Sequence, residues 1–169
     1  MKNNQIGIVG LGYWGTNIIN ALERFNIKKV YCFDLNSENL SEIKKKFPFA
    51  NKVKSLNELL KIDLDGIIIA TNTSTHFQIA KKCLLANHNI FVEKPVTNSL
   101  KKLEDLKKIA KTKNKIIMGG YVYNYNIYIN YIKKVLDKKI LGTLKYMSFD
   151  RLNLGPVRND VSCIWDLAS

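Results

Sequence analysis

Gly10-Leu11-Gly12-Tyr13-Trp14-Gly15 is a G-x-G-x-x-G turn with an apolar run, Gln5-Ile6-Gly7-Ile8-Val9, directly before it and a helix-like segment directly after it. The context constrains the fold more than the glycines do, because glycine recurs by chance in many loops. Between a buried strand and a helix, each glycine has a separate task. Gly10 lets the chain turn sharply off the strand, Gly12 leaves room for a pyrophosphate to approach the backbone, and Gly15 lets the helix pack closely on the sheet. The helix then offers its unpaired N–H groups and the positive end of its dipole to an anion, with no basic side chain required.

A chain that binds a dinucleotide this way needs an acid at the end of the next strand. Lys29-Val30-Tyr31-Cys32-Phe33 reads as that strand and ends at Asp34, 19 residues after Gly15. A carboxylate there accepts from both ribose hydroxyls of NAD and repels the 2′-phosphate of NADP unless a cation compensates, so the pattern favours NAD over NADP. Asp34 also stands where it could cap the helix beginning near Ser37, and the two roles are compatible.

With 169 residues and 46% hydrophobic content, the chain can bury one real core but is short for a complete two-domain dehydrogenase. Its formal charge of +13 raises nucleic acid as a partner, yet the basic residues are 24 lysines and only three arginines, Arg24, Arg151 and Arg158. Bidentate readers of phosphate and bases favour arginine, and no nucleic-acid motif accompanies the charge. The excess of Lys, Asn and Ile fits the codon bias of an AT-rich genome, so most of these lysines are expected to be solvated surface. Cys32, Cys83 and Cys163 are isolated, with no C-x-x-C, and read as reduced thiols of a cytoplasmic protein. The longest apolar runs are far too short to cross a bilayer, so no membrane partner is expected.

Taken in order, the chain alternates strand and helix. Trp14 to Phe25 carries Ile18, Ile19 and Leu22 as an apolar stripe, and Ser37 to Phe47 carries Leu40, Ile43 and Phe47 before Pro48. Lys52-Val53-Lys54 is expected as a short edge strand, with Ser55 capping a helix, and Gly66 to Ala70 reads as a buried parallel strand. Thr71-Asn72-Thr73-Ser74-Thr75-His76 follows it at the carboxyl end, where ligands of open α/β sheets collect. Its hydroxyls and amide suit a cofactor; equally, Ser74 or Thr75 could simply cap a helix running from His76 to Asn87, and His76 could face the cofactor or only occupy that first turn. Asn89-Ile90-Phe91-Val92 forms the next strand and ends at Glu93-Lys94-Pro95, where Lys94 could exchange the proton of a reacting hydroxyl or belong to an ordinary surface ion pair. A helix striped by Leu100, Leu103, Leu106, Ile109 and Ala110 and a strand Ile116-Ile117-Met118 complete six strands by residue 119. That is the doubly wound arrangement.

The pattern changes after residue 119. Tyr121 to Asn126 is aromatic and polar, Ile127 to Leu136 is helix-like, and Thr143 to Asp150 alternates partially, as a strand of an antiparallel sheet in a second domain would. The expected division is therefore 1–119 and 120–169.

Collected together, these residues resemble the Gfo/Idh/MocA family of nicotinamide-dependent oxidoreductases. The resemblance rests on Gly10 to Gly15, Asp34, the Thr71 to His76 loop, Glu93-Lys94-Pro95 and Gly142, and covers essentially the whole chain. It implies a Rossmann domain followed by the start of an α+β substrate domain. It also implies a cofactor site formed by Gly10, Leu11, Gly12, Tyr13, Trp14, Gly15, Asp34, Thr71, Asn72, Thr73, His76, Glu93 and Lys94. Lys94 is then catalytic, touching nicotinamide and substrate. Gly155-Pro156, Arg158, Asp160-Val161 and Trp165-Asp166-Leu167-Ala168 are similar to a branch that oxidises nucleotide-activated amino-sugar acids for bacterial surface polysaccharides. That similarity places Arg158 beside a sugar substrate, while the family resemblance gives Asp166 a catalytic place and puts Asn126 where relatives often have an Asn or His beside substrate, although Ile127 stands where the family usually has Pro.

In the family, the residue matching Asp166 is followed four positions later by a His that acts as acid–base partner, and this chain ends one residue short of it, at Ser169. The expectation is an NAD-dependent sugar or nucleotide-sugar dehydrogenase cut off before its second domain closes, working as a homo-oligomer or with a complementing chain. The rival reading is a truncated or split-gene fragment that binds the dinucleotide without turnover. A nucleic-acid-binding protein is the remote alternative, and it would reveal itself by a steep dependence on salt.

Overall fold

A computed structural model describes residues 4–150 together with 161, 162, 164 and 165. The first strand, β1 (Gln5–Val9), pairs in parallel with β2 (Lys29–Phe33) on one side and β4 (Gly66–Ile69) on the other. Beyond β2 lies β3 (Ala50–Lys52), and beyond β4 lie β5 (Ile90–Val92) and β6 (Ile117–Gly119), so the sheet order is β3-β2-β1-β4-β5-β6. Every pairing is parallel, as strands joined by crossover helices must be. The order reverses between β1 and β4. Connections leave those two strands in opposite directions and open a crevice at their carboxyl ends.

Both faces of the sheet are covered, which is why its strands are apolar without clean alternation. On one face, Ile8, Val30 and Cys32 pack with Leu11 and with Ile19 of α1 (Tyr13–Arg24) and Ile43 of α2 (Ser37–Lys46). On the other, Leu59 of α3 (Leu56–Leu59), Leu64 and Ile67 close over Gly7, where a Cβ would come within 2.8 Å of the Leu64 side chain. The helices α4 (Thr73–Leu85) and α5 (Leu100–Lys113) bury Ala80, Cys83, Leu84, Leu106 and Ala110.

Local chemistry sets the ends of these elements. The helices α1, α4 and α5 are each followed by an asparagine in the left-handed region, Asn26, Asn87 and Asn114, with φ of 59°, 64° and 51°. Asparagine is the side chain that, after glycine, best tolerates that conformation. Ser55 caps α3 as expected, accepting from Glu58 N at 3.1 Å, and the Glu58 carboxylate accepts from Lys54 N. Elsewhere the boundaries shift. Asn36, not Ser37, caps α2, and α4 begins at Thr73 rather than His76, with Asn72 at its N-cap. The strand β3 lies two residues earlier than expected because Lys44 Nζ donates to the carbonyls of Pro48 and Ala50 and ties that stretch to α2.

The contact pattern divides the chain into two compact units, Met1–Gly120 and Tyr121–Ser169. In the second, a short 3₁₀ turn (Val122–Tyr125) leads into α6 (Ile127–Asp137), none of whose residues is buried. Residues 143–150 form no strand, contrary to the alternation in the sequence. A strand exists only with a ladder partner, and no described segment pairs with this one. No described helix is long and apolar enough to cross a membrane.

Candidate dinucleotide-binding site

The glycine turn joins β1 to α1, and its three glycines differ in what the surrounding protein demands of them. Gly10 has φ of +93°, and a Cβ there would meet the Ala70 backbone at 2.7 Å. A Cβ on Gly15 would lie 2.0 Å from the Gly10 carbonyl oxygen. The close approach is thus of α1 onto the turn's own backbone, whereas Ala70 Cβ, just past the end of β4, is 3.9 Å away. Gly12 is different: its φ of −67° is open to any residue, and nothing lies within 4 Å of its Cβ position. No protein atom demands a glycine there. Gly12 is also the N-cap of α1 and provides no capping side chain, so the first N–H groups of the helix face outward without one.

Asp34, at the carboxyl end of β2, is held rather than merely exposed. Its Oδ2 accepts from Leu11 N at 2.6 Å and from Asn39 Nδ2 at 3.2 Å, and its Oδ1 accepts from Asn36 N at 2.8 Å. The acid is thereby fastened to the glycine turn, while the Leu11 side chain sits in the core. Leu35, beside it, is 94% exposed and brings no charge.

A cavity of about 730 Å³ opens at these strand ends, lined by Gly10, Gly12 and Asp34 on one side and by Thr71 and Asn72 on the other. The size is that of an ordinary small-molecule site. Sequence reading missed part of this wall. Thr75, Gln78, Ile79 and Lys82 of α4 also line it, and their i, i+3, i+4, i+7 spacing is the signal that would have found them. Tyr13 and Trp14, 77% and 55% exposed, form an edge-to-face pair at the start of α1.

The loop after β4 is tied to the turn after β5 through His76. Its ring is buried, with Nε2 2.9 Å from the Thr71 carbonyl oxygen and Nδ1 2.9 Å from that of Pro95. Thr71 Oγ1 accepts from Thr75 Oγ1, and Thr73 is buried at the start of α4. Glu93 N donates to Ile69 O, placing Glu93, Lys94 and Pro95 at the carboxyl end of β5 next to β4. Burial raises the Glu93 carboxyl above its ordinary range, opposed by the Lys94 N–H that it accepts and by the charges of His76 and Lys94. The Lys94–Pro95 bond is cis.

In the second unit, Asn126 caps α6, its Oδ1 accepting from Tyr128 N and Ile129 N. Arg158 and Asp166 lie outside the described residues. Among the described residues, no three His, Cys, Asp or Glu side chains are grouped so as to hold a metal ion.

Residues 4–121 match the model of the Gfo/Idh/MocA oxidoreductases, described as an oxidoreductase family with an NAD-binding Rossmann fold. The chain belongs to this family. It is 24% identical over 140 residues to myo-inositol 2-dehydrogenase of Thermotoga maritima, an alignment covering 82% of this chain and 42% of that one. It is 25% identical over 175 residues to UDP-N-acetylglucosamine 3-dehydrogenase of Acidithiobacillus ferrooxidans, covering 99% of this chain and 51% of the relative. Among solved structures, the WlbA dehydrogenase of Chromobacterium violaceum, in complex with NADH and UDP-GlcNAcA, superposes with a TM-score of 0.75 at 21% identity, over 82% of this chain and 41% of the other. That likeness is one of fold. The chain spans 42% to 51% of the length of these two curated relatives.

Proposed function

We propose that this chain forms the NAD-binding part of an oxidoreductase that moves a hydride between nicotinamide and a carbinol carbon of a sugar or nucleotide-sugar, in the making of surface polysaccharide. The observation that carries the reading is the contrast among the glycines. Gly10 and Gly15 are demanded by the protein's own backbone, while Gly12 faces open space at the helix N-terminus, where only a ligand gains from a missing side chain.

Asp34 fits the ribose end of the dinucleotide. Its carboxylate is fixed by three donors, and the adjacent Leu35 supplies no cation to offset a 2′-phosphate, which supports NAD over NADP. Bound nicotinamide supplies the two-electron acceptor or donor. The chain's own task is to orient and to handle the proton. Lys94, at the carboxyl end of β5, would hydrogen-bond the reacting hydroxyl and take or return its proton at Nζ. The Thr71 to Thr73 loop, Glu93, Tyr13 and Trp14 would shape the walls around the cofactor. His76 would act from behind the Thr71 loop, since both of its ring nitrogens are engaged. Asn126, Arg158 and Asp166 remain the proposed sugar-facing residues, with the second unit as the start of the substrate domain.

Calorimetric titration of the 169-residue chain with NAD and NADP tests this. NAD is expected to bind at least about tenfold more tightly than NADP, with Asp34→Ala removing the preference. A folded chain that binds neither dinucleotide refutes the reading.

A further inference from the structure

His76 lies under the wall of the proposed site, and its partners are unusual. Both ring nitrogens stand 2.9 Å from carbonyl oxygens, and a carbonyl only accepts. A ring with one N–H donates to one of them; a ring with two donates to both. The two carbonyls belong to different crossover connections. Thr71 follows β4, and its methyl group packs against Gly10 of the glycine turn, 2.8 Å from where a Cβ on Gly10 would lie. Pro95 follows Lys94 at the end of β5 and starts the buried run Pro95-Val96-Thr97. One imidazole therefore spans the gap between the loop bordering the glycine turn and the turn that carries Lys94. Glu93, half-buried, accepts from the Lys94 N–H and lies within electrostatic reach of His76 and Lys94. Gly120 leaves it room, since a Cβ there would reach Glu93 Oε2 at 3.2 Å.

We infer that His76 is a positioning residue that clamps the Lys94 turn to the Thr71 loop, so that the wall meeting the nicotinamide half of the dinucleotide is held as one piece. This rests on the dinucleotide reading above and deepens it. The adenosine half also meets Thr71, which lines the cavity opposite Asp34, but it has further supports of its own. Asp34 is held by Leu11, Asn36 and Asn39, and the cavity-lining face of α4 is anchored through buried Ala80, Cys83 and Leu84. Loss of the clamp should consequently be felt at one end of the ligand and not at the other.

The probes are NADH and ADP-ribose, which lacks the nicotinamide, titrated into the 169-residue chain and into His76→Ala and His76→Gln. His76→Ala is expected to weaken NADH about tenfold, the effect of one net hydrogen bond, and to leave ADP-ribose within about twofold. His76→Gln, whose amide nitrogen carries two hydrogens, should recover part of the NADH affinity. It also keeps the comparison usable if His76→Ala does not fold. Bound NADH fluorescence adds a signature from the ring itself, with a smaller enhancement expected where the clamp is lost. Equal weakening of both ligands, or of neither, in the folded Gln variant and in the Ala variant if it folds, overturns the inference. A wild-type chain that binds neither ligand overturns the dinucleotide reading and the clamp with it.

Discussion

Gly12→Ala and Gly15→Ala add the same methyl group to two glycines three residues apart, and the structure assigns them opposite consequences. At Gly15, within α1, helix propensity favours alanine by about 1 kcal/mol. Against that, the new Cβ would stand 2.0 Å from Gly10 O and 2.9 Å from Gly10 C. Both are backbone atoms and cannot rotate away. Gly10 cannot retreat easily, because its N–H donates to Phe33 O at 2.9 Å and Ala70 crowds its other side. The helix must shift by more than about 1 Å, and overpacking of this kind costs about 3 kcal/mol at the upper end of its range. The net is a loss of about 2 kcal/mol, or a fall in Tm of about 4–8 °C for a chain of this size.

At Gly12 the methyl meets nothing within 4 Å, and φ of −67° carries no strain. Replacing an N-cap glycine by alanine costs a few tenths of a kcal/mol, and the lower entropy of the unfolded chain returns a similar amount. Tm should therefore stay within about 2 °C. If a pyrophosphate rests there, the methyl displaces it from one or two N–H groups. Charge-assisted bonds of about 1.5–3 kcal/mol are then lost, weakening NAD roughly 10- to 150-fold. Thermal unfolding followed by circular dichroism, with calorimetric titration of NAD, reads both quantities on both variants. The reasoning fails if Gly12→Ala costs as much Tm as Gly15→Ala, or if it binds NAD as tightly as the wild type.

Two further outcomes follow from buried titratable groups. Burial raises the Glu93 carboxyl, so between its ordinary range and its folded value the native state binds more protons than the unfolded state, and stability falls as pH rises through that window. Glu93→Gln does not titrate, so its Tm relative to wild type should be higher at pH 7 than at pH 4, measured by calorimetric scans. Cys32 and Cys83 are buried and pushed up to about 12, which leaves almost no thiolate at pH 8. Peptide-level mass spectrometry should find both unalkylated by iodoacetamide in the native chain and fully alkylated in guanidinium.

The sheet was legible because hydrophobic runs and glycine punctuation are local signals. Strands β1 and β2 appear with the bounds read from composition, and the order of elements is the expected one. Boundaries failed where a contact distant in sequence or a competing cap decided them. Asn36 and Ser37 are both good caps, and only the backbone shows Asn36 accepting from Glu38 N. The register of β3 depends on Val30 opposite Ala50 and on Lys44 reaching over Pro48, neither of which a composition window contains. Residues 143–150 fail for a further reason. Their alternation is real, but a strand is a property of two segments, and the described chain supplies one.

The site was legible by residue type and illegible by hydrogen-bond partner. Asp34 follows from spacing alone, yet its anchoring by Leu11 N and Asn39 Nδ2 does not. The same limit applies to His76. A histidine at the carboxyl edge of a parallel sheet could face a cofactor or only occupy a helix's first turn, and what decides is finding Thr71 and Pro95, 5 residues before and 19 after it, at its two nitrogens. Asn126, read as sugar-facing, already gives its side-chain oxygen to two N–H groups of α6, and its amide nitrogen is the part of that side chain left to serve a substrate. Sequence shows which side chains can donate and accept; the fold decides which of those bonds are already made. A ligand is bound by the remainder. By that count, the open groups at the crevice include the N–H groups beginning α1 and the one lone-pair site of Asp34 not engaged by its three donors, beside the polar side chains of Asn72, Ser74, Gln78 and Lys82; a pyrophosphate would suit the first and a ribose hydroxyl the second.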